Sequence, residues 1–243
     1  MKKGKIYIGT SGWSYKHWEG TFYPAGIKSN DQFKRYSESF QTVELNNSFY
    51  KLPSASTFLS WKNSSRPGFI FSVKASRFIT HMKKLNMGKL ELRKFFRSVS
   101  KLGNKLGPIL FQLPPRWKLN FERLKNFLSV LPPGFLYTFE FRNHSWYNKA
   151  IYDLLADYNC AFCIYELEGH TSPMMLTASF IYIRLHGPGG KYQGNYTDTS
   201  LKCWAERCKK WSEIGKPVYI YFDNDQLGYA ALNAVRLKQL VEK

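Results

Sequence analysis

Strand-length runs with a two-beat rhythm recur along the chain, apolar residues on one parity and polar or charged residues on the other. In Thr42-Val43-Glu44-Leu45-Asn46 the polar parity is Thr42, Glu44 and Asn46. In Phe71-Ser72-Val73-Lys74-Ala75-Ser76 it is Ser72, Lys74 and Ser76. In Thr138-Phe139-Glu140-Phe141-Arg142 it is Thr138, Glu140 and Arg142, and in Ile181-Tyr182-Ile183-Arg184-Leu185-His186 it is Tyr182, Arg184 and His186. Side chains alternate faces along a strand, so each polar set lines one surface. Helix-like segments join the runs, and strands joined by helices form parallel sheets whose outer face is covered. The polar parity is therefore expected to point into a barrel, near one rim. This locates an active site without naming a reaction.

Eight strands are predicted, at 5–10, 41–46, 69–76, 108–113, 135–142, 160–165, 180–186 and 217–223. Helices are predicted at 31–40, with Ser29, Asn30 and Asp31 as cap candidates, and at 55–64 after Pro53-Ser54. A long basic helix is expected over 90–105, and others over 120–131 (capped by Asn120), 148–158, 200–213 and 228–241. The gap 166–179 holds Gly169 and Pro173, so its helix should be short or missing. Eight alternating strands and helices make an α/β fold, a single (β/α)8 TIM-type barrel over 1–243. An open doubly wound sheet would need near-continuous apolar strands, and the charged parity argues against it.

Composition changes the picture in two ways. The formal net charge is +19, which favours polyanions, anionic substrates and solubility. The basic residues are spread over Arg93, Lys94, Arg97, Lys101 and Lys105, then Lys202, Arg207, Lys209 and Lys210, and that spread fits a solvated surface. The four cysteines fall inside predicted elements, unlike a disulfide scaffold. The start leads straight into Ile6-Tyr7-Ile8, and no apolar run approaches the roughly 20 residues of a membrane span. A cytoplasmic protein with no membrane partner is expected.

Several multi-residue motifs recur in one order. They are Ile8-Gly9-Thr10-Ser11-Gly12-Trp13-Ser14-Tyr15, Thr42-Val43-Glu44-Leu45-Asn46 with Ser48-Phe49-Tyr50, and Phe111-Gln112-Leu113-Pro114-Pro115. Glu140-Phe141-Arg142 with Ser145-Trp146, Arg184-Leu185-His186-Gly187-Pro188-Gly189-Gly190, and Tyr221-Phe222 with Asn224 complete them. In these the chain resembles the YecE-like family across nearly its whole length. The resemblance implies a TIM-type barrel and no particular reaction. The chain departs from the family pattern at Asp223, where Asn is expected, and at Tyr165-Glu166, where Ala-Asp is expected.

Glu44 and Glu140 are the acid/base candidates, because paired carboxyls can divide those roles when their settings differ. Each could instead balance a neighbour, Glu140 with Arg142 or Lys74 and Glu44 with Arg184, since buried charge needs a partner. Lys74 could serve covalent catalysis, but nearby carboxylates would make it a charge partner. Arg142, Arg184 and His186 form a cationic set ahead of the loop Gly187-Pro188-Gly189-Gly190, at the place where TIM barrels often bind phosphate. A tight turn with Arg184 in a salt bridge explains the same residues. Asn46, Gln112 and Asn224 are candidates to orient polar groups, and the rim aromatics Trp13 and Tyr50 to stack on a ring. Five histidines lie near the rim without ligand spacing, so no cofactor is predicted and a metal is possible but unsupported. Cys160 and Cys163 would point to opposite faces of a strand, which excludes a metal pair.

Three functions compete. One is an enzyme, of the hydrolase, lyase or isomerase type, acting on a small anionic, phosphorylated or sugar-like substrate. Another is a nucleic-acid-binding protein or nuclease using the basic surface. The third is a barrel that binds a ligand without chemistry.

Overall fold

The computed structural model describes residues 2–243. Among them are nine strands, β1 (Ile6–Thr10), β2 (Thr42–Leu45), β3 (Ile70–Lys74), β4 (Leu106–Gln112), β5 (Tyr137–Glu140), β6 (Ala161–Leu167), β7 (His170–Thr171), β8 (Ile181–Leu185) and β9 (Val218–Phe222). Their order is β1-β9-β8-β6-β5-β4-β3-β2, and a parallel bridge between Ser11 and Glu44 joins the two ends. With helices between the strands this is an α/β fold of the TIM-barrel type. β7 stands outside the path and pairs antiparallel with β6. It fills the gap where a helix is missing.

By contact density the chain forms two compact units. Among the described residues the first comprises 2–44, 164–174 and 179–243, and the second comprises 45–163 and 175–178. In the first, β9 lies between β1 and β8, with Ile8 and Ile183 both in register with Ile220. The helices here are α1 (Ser29–Ser39), α7 (Asp198–Glu213) and α8 (Tyr229–Glu242). An aromatic cluster of Trp18, Phe22, Tyr23, Tyr36 and Phe40 fills the space beside α1, with the Tyr36 and Phe40 centroids 4.8 Å apart. The Tyr36 hydroxyl accepts from Thr10 N at 3.0 Å and donates to the Thr42 carbonyl at 2.9 Å, tying two strand ends to α1.

The second unit holds the run β3-β4-β5, continued by the first residues of β6. Its helices are α2 (Asn47–Tyr50), α3 (Ala55–Ser64), α4 (Lys89–Val99), α5 (Phe121–Val130) and α6 (Lys149–Asp157). The apolar parity of the strands packs under the helices as an aromatic column. Phe111 stacks on Phe139 at 5.2 Å and meets Phe127 of α5 edge-on at 5.1 Å. The polar parity, Ser72, Lys74, Thr138 and Glu140, is buried as well.

Two expected details need correction. Helix α1 starts at Ser29, and Lys28 precedes it without a side-chain cap, so Ser29, Asn30 and Asp31 are not its caps. The helix expected over 90–105 stops at Val99 and continues as a tighter 3-10 turn over 100–105. Gly103, with φ of 56°, takes a left-handed conformation that only glycine adopts readily and so breaks the helix. Ser54 and Asn120 do cap α3 and α5, accepting from Thr57 N and Arg123 N.

Candidate functional site

In the first unit the polar residues converge at the carboxyl ends of β1, β2, β8 and β9. That is the end where TIM-barrel chemistry is placed. Arg184 and Glu44 are fully buried and form a two-pronged pair, Nε to Oε2 at 2.9 Å and Nη2 to Oε1 at 2.7 Å. Ser11 also donates to Glu44 Oε1, and the Tyr182 hydroxyl donates to Oε2 at 2.7 Å. Glu44 is therefore saturated by donors, which is the condition for keeping a buried carboxylate.

Arg184 reaches further. Its Nη2 lies 3.1 Å from Asp223 Oδ2, and its Nη1 lies 3.3 Å from His186 Nε2. The other ring nitrogen of His186, Nδ1, lies 3.0 Å from the same Asp223 oxygen. A guanidinium can only donate. The tautomer with its proton on Nδ1 thus satisfies both contacts, donating to Asp223 and accepting from Arg184. Two carboxyl groups, Glu44 and Asp223, share one guanidinium.

The loop after β9 carries a further carboxyl, Asp225. Trp18 Nε1 donates to it at 2.6 Å, and His17 Nε2 lies 2.9 Å away. Burial pushes its pKa up to about 6, and Asp223 pushes the same way, against the lowering effect of Trp18 and His17. Tyr15 lies within electrostatic reach of Asp223, Asp225 and Glu44. Burial first, and then those three groups, raise its phenol pKa. Tyr15 also donates to the Ser11 carbonyl. Between the two aspartates in sequence, buried Asn224 donates through Nδ2 to the Gly194 carbonyl and to Asn233 Oδ1, each at 2.8 Å.

The glycine loop after β8 is a tight turn. The Gly187 N–H donates to the Tyr196 hydroxyl at 3.1 Å. Gly187 has φ of 120°, and a Cβ there would sit 2.1 Å from the Gln193 carbonyl oxygen, so no other residue fits. Gly190 bridges to Gln193, whereas Gly189 faces open space. Trp13 packs on Phe33, and its carbonyl accepts from Tyr23 at 2.6 Å.

The second unit gathers the remaining candidates. Arg142 pairs with fully buried Glu140, and Cys163 Sγ lies 3.9 Å from the other Glu140 oxygen. Gln112 is in register with Glu140. The Lys74 ammonium sits over the Phe49 ring at 4.5 Å, and His81 meets the same ring edge-on at 5.1 Å. Burial, helped by Lys74 and Arg77, lowers the His81 pKa. Tyr50 is exposed beside Phe49, and Asn46 has a buried amide oxygen without a hydrogen-bond partner among the described residues.

The structure thus unites Glu44, Arg184 and His186 in one network and pairs Glu140 with Arg142 in another. Ser11, Tyr182 and Asp223 belong to the first network, Asp225 is bonded beside it to Trp18 and His17, and none of the four is among the candidates that the sequence pattern points to. Tyr182 carries a usable signal, because it shares the polar parity of Arg184. Asp223 and Asp225 flank Asn224 directly after a strand, a signal that a pattern of paired glutamates does not include. Among the described residues no group of three or more His, Cys, Asp or Glu is placed to hold a metal ion. No helix among them is long and apolar enough to cross a membrane.

The family model described as "Protein of unknown function DUF72" matches residues 7–243. The chain belongs to the DUF72 family. This is the YecE-like family under another name. The DUF72 chain is 26% identical to the UPF0759 protein YunF of Bacillus subtilis (strain 168), over 98% of its own length and 95% of that protein. It is similar to the crystal structure of a DUF72 family protein from Thermotoga maritima MSB8, with TM-score 0.90 and 28% identity over 98% of this chain and 100% of that one. A DUF72 family protein from Enterococcus faecalis V583, at 18% identity and TM-score 0.81 over 98% of this chain and 96% of that one, shares the fold.

Proposed function

We propose that this DUF72 protein is an enzyme that moves protons on a small, hydroxyl-bearing, sugar-like substrate at the carboxyl ends of β1, β2, β8 and β9. The observation that carries this reading is the contrast between the two aspartates of Asp223-Asn224-Asp225. Asp225 has its pKa raised to about 6, so it carries a proton over much of the weakly acidic range. Asp223 is hydrogen-bonded by Arg184 and His186, which favours its charged form. Two carboxyls held in such different hydrogen-bond settings can divide the roles of acid and base. Both side chains keep some exposure, 13% for Asp225 and 14% for Asp223, so a substrate can reach them.

Glu44 and Glu140 are fully enclosed and held by arginines, so positioning suits them better than proton transfer. The same bonds bear on the substrate. Arg184 already serves Glu44 and Asp223, and the Gly187 amide serves Tyr196, so a neutral hydroxyl-bearing ligand suits this set of acceptors better than a phosphate.

The test is proton exchange, which reads turnover at the substrate carbon whatever product forms. Neutral sugars, polyols, sugar acids and sugar phosphates would be screened for thermal stabilisation, and ligands that stabilise would be followed by proton NMR in D2O. The expected result is C–H to C–D exchange or a new product with at least one stabilising sugar. Asp225→Asn should lower that rate at least about a hundredfold, in line with loss of general acid catalysis, while the thermal shift remains. Exchange and product both absent across the panel, or an undiminished Asp225→Asn, would overturn the reading.

A further inference from the structure

Helix α4 carries Lys89, Arg93 and Arg97 at four-residue spacing. With 1.5 Å rise per residue, such a row places a cation about every 6 Å along one face. All three are exposed, and among the described residues none has a carboxylate partner. The acid on the same helix, Glu91, is occupied in accepting from the Gly88 N–H at 2.7 Å. The row borders a groove of about 780 Å³ between α4 and the segment 129–135. The groove floor is apolar, with Leu92, Phe96, Val130, Leu131, Pro132 and Phe135, and no Asp or Glu lines it. Every feature lies within the second unit.

We propose that this groove docks an acidic, amphipathic segment of a partner protein, with carboxylates on the Lys89–Arg93–Arg97 row and apolar side chains on the floor. Charge complementarity selects the occupant. A second copy of the chain would face the same cations across a two-fold axis, because a two-fold interface pairs a patch with itself. A nucleic-acid backbone would satisfy the cations but leave the apolar floor without a partner. A bilayer needs several apolar side chains that protrude, whereas Leu90 is the one exposed apolar residue of α4, and Leu92 and Phe96 are buried in the wall. An amphipathic segment lying in a groove answers both the row and the floor.

The probe is a synthetic 18-residue peptide with Glu at every fourth position and Leu on the adjoining face, titrated into the full chain by fluorescence anisotropy. A scrambled peptide of the same composition, an 18-nucleotide single strand and phosphatidylserine vesicles serve as competitors. The patterned peptide is expected to bind at least tenfold tighter than the scrambled one. Arg93→Glu with Arg97→Glu, both on the solvent face, should weaken it at least tenfold. Val130→Asp should do the same through the floor. Hydrogen exchange on the unaltered protein gives a second readout, because the peptide should protect α4 and 129–135. Equal binding of both peptides, indifference to the double reversal, protection elsewhere, or stronger competition by the oligonucleotide or the vesicles would each overturn the proposal.

Discussion

Glu44 and Arg184 show how much one residue can hold. Both are fully buried, so each relies on the other to offset the loss of water. Removing one partner of such a pair leaves an uncompensated charge, at a typical cost of about 3–5 kcal/mol. Glu44→Ala is thus expected to lower the unfolding free energy in urea by that amount, and Glu44→Ala with Arg184→Met to recover a large part of it. A single variant within about 1 kcal/mol of the parent would show that the buried arginine finds other support. Asp225 gives a prediction in pH. Its folded pKa of about 6 lies above the ordinary aspartate value of about 3.9. The folded state therefore binds the proton more tightly, so its contribution is complete below the ordinary value and is lost as pH rises through about 6. Melts taken from pH 4 to 7 should show the parent losing stability relative to Asp225→Asn across that window. A constant difference between them would remove the shift, and with it the acid assigned to Asp225.

At the scale of elements, the missing helix after β6 raises the question of what supports that strand. Two hydroxyls do. Ser172 Oγ accepts from Tyr165 N at 2.9 Å, and Thr177 Oγ1 accepts from Phe162 N at 2.8 Å while donating to the Cys160 carbonyl at 2.6 Å. Thr177→Val keeps the shape and deletes both bonds, leaving a buried N–H and C=O unmatched. It should cost about 1–3 kcal/mol per unmatched group, read from denaturant unfolding, and a neutral effect would mean that water replaces the hydroxyl. These contacts also show what the sequence can and cannot reveal. The strands and their polar parity are legible, because alternation in Thr138–Arg142 or Ile181–His186 is a local signal. Gly169 and Pro173 likewise announce the missing helix. The start of α1 is not legible, because Ser29, Asn30 and Asp31 all suit a cap, yet the backbone starts the helix at Ser29 with Lys28 ahead of it and no side-chain cap. Nor is the Asp223–His186–Arg184 chain, since Asp223 lies 37 and 39 residues from its two partners and meets them only once β9 pairs with β8, where its N–H donates to the Leu185 carbonyl at 2.8 Å.

At the scale of the whole molecule the open quantity is the charge. There are 36 Lys and Arg against 17 Asp and Glu, giving the formal +19. Net charge is readable from sequence, but whether it forms a patch depends on where the helices turn their faces. Part of it is already engaged, as Lys202 with Asp198 at 3.3 Å and Arg207 over Trp204 at 4.9 Å. A dispersed charge attracts any polyanion but holds none in register. Phosphate contacts of this kind release counterions, so affinity falls steeply with salt whatever the base sequence. Oligonucleotides of different sequence should accordingly bind alike at low salt. Their affinity should fall by roughly a thousandfold or more between about 50 and 200 mM salt if roughly six or more phosphates are engaged. Filter binding across that range decides the matter. Binding that survives at the higher salt and prefers one sequence would require base contacts beyond the charge, and would put nucleic acid ahead of the sugar-like substrate as the ligand of this fold.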